Sequence, residues 1–209
     1  MNISQQFAPP FKLVGSFFIS AMIIFFISIL LLFNFDINLI HTQNSLVLSW
    51  VHLYLLGFVM MSIFASMAQL LPVVLEVEHF SIDLYYVVNP LLFMGTTLIF
   101  IGFYKYPMVL SYGGVIVFIS FFIFLFESFL TIKKVKKLNF LSSTVLVANI
   151  FLFSGLVVAI VLSFVYSGVL FLNIKALMLS HIYLVFVGYL GITIISMSYI
   201  LIPMFWLSH

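Results

Sequence analysis

The sequence contains neither cysteine nor arginine. Without cysteine the chain can supply no disulfide, no thiolate zinc site and no iron–sulfur cluster. Without arginine it lacks the usual bidentate partner for carboxylates and phosphates, and all seven cations are lysines. Charge of either sign is scarce at 6% of 209 residues, against about 25% in a typical soluble domain. Apolar residues take its place: 66% are hydrophobic, 27 are Phe, 10 are Tyr, and the mean hydropathy is +1.38. This is the composition of an integral membrane protein. The net charge of +2 comes from one small lysine cluster and gives no footprint for nucleic acid.

The opening stretch "MNISQQFAPPFKLVG" lacks a basic start, and the apolar run after it is too long for the core of a signal peptide. It therefore reads as the approach to a spanning helix rather than as a cleavable leader. At about 20 apolar residues per crossing, six transmembrane helices are predicted over 13–33, 46–75, 87–103, 108–130, 142–166 and 176–207. The links are short, so neighbours should run antiparallel in one all-α bundle, a single integral membrane domain over 1–209 with no soluble part. Lys133, Lys134, Lys136 and Lys137 crowd the loop between the fourth and fifth helices. The excess of lysine in cytoplasmic loops places that loop inside, and counting outward puts both termini inside as well. The expected setting is a multi-pass protein of the inner (cytoplasmic) membrane, with the lipid bilayer as its first partner.

Two of the five histidines fall within predicted spans. His52 lies about 9 Å along the second helix and His181 about 7.5 Å along the sixth, at 1.5 Å per residue. Both helices run from outside to inside, so the two imidazoles share one depth near the outer face. The helices are also alike in sequence. Each reads His-x-Tyr-Leu, then a Gly-aromatic pair (Gly57-Phe58, Gly188-Tyr189), then Ser-Met (Ser66-Met67, Ser196-Met197), then a proline near the inner end (Pro72, Pro203). A weak internal duplication is one source of such likeness; drift among apolar helices is another. Neutral imidazole is a good ligand for haem iron, and two can clamp it from opposite faces of the porphyrin. The candidate cofactor-binding and metal-ligating residues are therefore His52 and His181. Gly188, seven residues after His181 and nearly on the same face, is a place where a missing side chain could admit a flat ring. Against this stands the plainer role of a histidine near a helix end, which is to hydrogen-bond a neighbour or reach interfacial water.

The stretch "HLYLLGFVMMSIFASMAQLLPVVLEVEHF", followed by "YYVVNPLLFMG", resembles helices II and III of haem-copper oxidase subunit I. In that family a haem-ligating histidine opens helix II near the outer face, and the helix closes on a Leu-Pro before a short inner loop. His52, Leu71, Pro72 and Asn89-Pro90 match this outline, and "HIYLVFVGYLGITIISMSYILIPMF" looks like a second histidine-bearing helix of the same superfamily. The resemblance covers some of the chain only. The family's subunit has many more helices, several further intramembrane histidines including an adjacent pair, and arginines that hold the haem propionates, a task left here to Lys175 or water. What the resemblance implies is a b-type haem protein, a partial or half-length relative rather than a complete oxidase. It would serve electron transfer, sensing or respiratory-complex assembly, with a homodimer or other respiratory subunits as partners. Two further classes stay open from the residues alone: a small transporter or channel using the histidines, and a structural membrane subunit.

The remaining polar residues read more plainly. Glu127 is expected to snorkel toward Lys133 and Lys134, and His79 to sit in a solvated loop. Asn149 is read as interhelical glue, and His41 and His209 as solvent-facing. Ser66, Gln69, Ser196, Ser198 and Tyr199 could line a polar track in the inner halves of the two histidine helices. Met60, Met61 and Met178 are conceivable soft ligands among methionines that mostly pack.

Overall fold

The computed structural model describes residues 7–35 and 44–206; the expectations for His41 and His209 lie outside these. Among the described residues six helices are long and apolar enough to cross a membrane: α1 (Phe11–Leu32), α2 (Ser45–Leu75), α3 (Asp83–Tyr104), α4 (Val109–Ile132), α5 (Phe140–Tyr166) and α6 (Ile174–Trp206). No strand occurs among the described residues, and the all-α expectation holds. The main difference from the predicted bounds is at α3, which begins at Asp83 rather than 87.

Consecutive helices pack side by side in an arc. In lipid this association cannot draw on water's rejection of apolar surface; close van der Waals packing and interhelical hydrogen bonds must hold it. The tightest seam is α3 against α4. A methyl group built at Gly113 would lie 2.9 Å from the backbone nitrogen of Ile99, and one at Gly102 would lie 2.6 Å from Leu110 Cγ. Only hydrogen fits at either place, so these glycines set how near the two backbones come. Between α2 and α4, Phe64 stacks on Phe124 with ring centroids 3.8 Å apart and meets Phe121 edge-on at 4.9 Å. Ala65 and Ala68, fully buried beside them, keep α2 close. The ends of the arc are barely covered: α6 packs along α5 and is not a packing neighbour of α2.

The end of the bundle that carries the lysine loop is closed by a polar cluster. Pro72 lies inside α2, three residues before its last residue, Leu75. Having no N–H, it leaves the carbonyl of Ala68 without its helical donor. Glu76 then takes a left-handed conformation (φ 54°) and the chain folds back beneath the helix. His79 Nε2–H donates to that same Ala68 carbonyl at 2.8 Å, while its Nδ1 meets Glu127 Oε1 at 2.8 Å. A carbonyl only accepts, so Nε2 carries a proton, and a second proton lies between Nδ1 and the carboxyl group. Glu127 also accepts from Thr131 Oγ1 at 2.7 Å and, on Oε2, from the Tyr85 hydroxyl at 2.9 Å.

Two expectations are corrected here. His79 is not in a solvated loop: its side chain is 6% exposed. Glu127 does not reach the lysines, because its oxygens are already taken by partners from α3, α4 and the α2–α3 loop. Lys134 instead donates to the carbonyls of Glu78 (3.1 Å) and His79 (2.7 Å), pinning the loop from outside. Removing one member of a buried hydrogen-bonded pair leaves the other unsatisfied at a cost of about 1–3 kcal/mol. Glu127→Ala and His79→Ala should each destabilise the protein by about 2 kcal/mol. The double variant should lose clearly less than the sum, as residues of one network do; unfolding in mild detergent measures all three.

Candidate functional site

At the opposite end of the bundle the helices enclose a cavity of about 290 Å³. Its walls come from the first halves of α2, α4 and α6, the last third of α3 and the second half of α5. They are almost wholly apolar, and no lysine or carboxylate lines them among the described residues. The volume stands at the lower edge of the roughly 300–1,000 Å³ usual for small-molecule sites.

Both intramembrane histidines line this cavity, and the helices that carry them start alike. Asn44 caps α2 by accepting from the Leu46 N–H at 2.9 Å; Asn173 caps α6 by accepting from the Lys175 N–H at 3.1 Å. His52 and His181 are each the eighth residue after the capping asparagine. The two histidines thus stand at equal distances from equivalent caps. Directly beyond each histidine the α-helical ladder gives way to a π-helical one, over Leu53–Met60 in α2 and Tyr183–Gly191 in α6. Such i→i+5 stretches are rare and concentrate at functional sites. A wider turn also re-aims every side chain beyond it, so the glycine positions cannot be projected from α-helical spacing.

Each imidazole is oriented through one ring nitrogen. His52 Nδ1–H donates to the Leu48 carbonyl of its own helix at 2.7 Å, and the ring lies 4.9 Å from that of Phe103, tilted by 30°. His181 Nδ1–H donates across to the Gly155 carbonyl of α5 at 3.1 Å. Carbonyls accept and do not donate, so both neutral rings carry their proton on Nδ1. In both, Nε2 is left with its lone pair and meets no protein partner among the described residues. This is how metal-binding imidazoles are commonly held: one nitrogen tied to a carbonyl, the other free to coordinate.

Gly155 was not singled out in the sequence, where it looked like any small residue in an apolar run. A methyl group there would stand 2.8 Å from Val185 Cγ2, so its absence lets α6 come close enough for His181 to reach the backbone of α5. Gly188 lies outside the cavity lining, and the flat ring it accommodates is that of Phe151, 2.5 Å from where its methyl group would be. Met60 and Met178 line the cavity; Met61 is buried elsewhere in the core. The polar track does not form as drawn. Ser66 and Ser196 bond back to their own helices, and Tyr199 is exposed against Phe140. Asn149 is glue, donating to Ser128 Oγ at 2.9 Å. One polar atom on the cavity wall is left over: the Tyr166 hydroxyl has no hydrogen-bond partner.

No family model matches the chain, and no curated protein or solved structure matches it. The site's chemistry has to be read from its own atoms. Gly155→Val should force α6 off α5 and cost about 1–3 kcal/mol, as overpacking of a tight contact does. A thermal unfolding midpoint in detergent equal to that of the unaltered protein would show that this contact does not set the α5–α6 distance.

Proposed function

We propose that the protein binds b-type haem in this cavity, where His52 and His181 would hold the iron. One observation supports this more than any other. Two imidazoles at one depth, on two helices that do not pack together, both have Nδ1 committed to a carbonyl and Nε2 free. The donor set fits low-spin iron, which takes neutral nitrogen on both faces. Apolar and aromatic walls, Phe103, Phe118, Phe121 and Phe186 among them, suit a porphyrin. The volume is tight, and α6, the wall beside α5, is bare on most of its surface. Lys175, exposed in the first turn of α6, would hold a propionate, and the Tyr166 hydroxyl would find an acceptor.

In this reading the haem supplies one-electron chemistry. The protein supplies ligation, a low dielectric and exclusion of water, which together set the potential. The lysine-rich end faces the cytoplasm under the positive-inside rule, so the site lies in the outer half of the inner membrane. That position suits electron transfer with a respiratory partner, and it agrees with the resemblance to haem-copper oxidase subunit I over α2 and α3. A transport role has less behind it, because the cavity walls offer a moving ion no charged group.

The test is spectroscopic. Protein expressed with haem supplied and purified in mild detergent should show a sharp low-spin b-type signal in reduced-minus-oxidised spectra. His52→Ala and His181→Ala should each abolish the low-spin signal while leaving the protein folded. A folded preparation that takes up no haem would refute the proposal.

A further inference from the structure

The cluster at the lysine end holds its shape around one proton that has no substitute. The proton on His79 Nε2 is committed to the Ala68 carbonyl. The bond between Nδ1 and Glu127 Oε1, 2.8 Å long, needs a second proton and works with it on either atom. Without it an imidazole lone pair faces a carboxylate oxygen at the same distance, and the contact turns from attractive to repulsive. Little water is there to intervene, since the two side chains are 6% and 1% exposed. The neighbours cannot stand in, because the Thr131 and Tyr85 hydroxyls already donate to the same carboxyl group.

The α2–α3 loop depends on this arrangement through its backbone as well. Phe80 N–H donates to Thr131 Oγ1 at 2.9 Å, and that hydroxyl in turn donates to Glu127. Solution is only one layer away: Glu78 and Phe80, on either side of His79, are both exposed.

We propose that the His79–Glu127 pair is a proton-operated latch. One proton, taken from the solution at the lysine end, closes the α2–α3 loop under α2, and its loss releases the loop. The inference is independent of the haem reading. In a released loop the two groups would be exposed, and above about pH 7 an exposed imidazole is neutral and an exposed carboxyl ionised. The released loop has then given up the proton that the closed loop still holds. Closing takes up one proton, so the closed form loses ground about tenfold for each unit by which the pH rises. The other titratable and charged groups around the pair are Tyr85 of α3, Lys134 just beyond α4, and Glu76, Glu78 and Asp83 along the loop. From α6 the buried Tyr189 acts electrostatically on Tyr85.

The test is hydrogen exchange by mass spectrometry on the full chain in mild detergent, between about pH 7 and 9 and corrected for the intrinsic exchange rate. Protection of a peptide covering residues 77–80 should fall about tenfold per pH unit, while a peptide at Gly113 in the α3–α4 seam keeps its protection. In Glu127→Gln the side-chain amide donates to Nδ1 and has no proton to lose, so protection of the loop should become independent of pH. All the other charged groups remain in that variant. Glu78→Gln and Asp83→Asn, both at exposed positions, should keep the slope of the unaltered protein, and they decide the matter should Glu127→Gln not fold. Protection of the loop that does not change with pH overturns the inference. So does the same slope in Glu127→Gln, or its disappearance in Glu78→Gln or Asp83→Asn.

Discussion

The lysine end of this bundle depends on one carbonyl. Inside a bilayer a backbone group that loses its partner finds no water to replace it, and Pro72 creates such a loss at Ala68. His79 makes it good, and in doing so draws the α2–α3 loop under the helix and delivers its other nitrogen to Glu127. Glu127 is in turn the meeting point of α3 through Tyr85 and of α4 through Thr131. A proline that would weaken an isolated helix thus generates the contact that ties three elements together. Since apolar burial does not drive helices together in lipid, hydrogen bonds between elements and close packing such as these are what hold them.

The opposite end is built on the contrary plan. There a cavity opens between the helices, the walls are apolar, and the polar atoms that remain are a pair of imidazole nitrogens and a tyrosine hydroxyl. Closing one end and opening the other are connected. With α2, α3 and α4 locked at the lysine end and along the glycine seam, α2 is a rigid post for His52. α6 is held only by α5 and is free of that lock. Similar sequences in α2 and α6 therefore give equivalent caps and π-helical stretches but different neighbours.

Several residues show why local reading falls short in such a chain. Glu127 next to a lysine loop and His79 between acidic residues both look solvated when the sequence is read in one dimension. Neither appearance contains the vacancy at Ala68, which exists only because Pro72 falls inside the helix rather than after it. Gly155 is silent in the sequence because close approach is a property of two helices at once. Gly188 looked open to a cofactor on α-helical spacing; the π-helical stretch turns it elsewhere, and Phe151 fills the gap.

The sequence by itself determined that the chain is a membrane protein with six crossing helices. Length and hydropathy are local quantities, and the bilayer imposes one solution on every apolar run of sufficient length. It also determined how far His52 and His181 stand along their helices, because that is a count of residues from the cap. Only the tertiary structure decided that these histidines share a cavity, which of their nitrogens is free, and which carbonyl each is bonded to. Those properties depend on hydrogen bonds and contacts between residues far apart in the chain, Gly155 with His181 and His79 with Glu127. In a sequence this uniformly apolar, pairing between helices leaves almost no trace in composition or spacing.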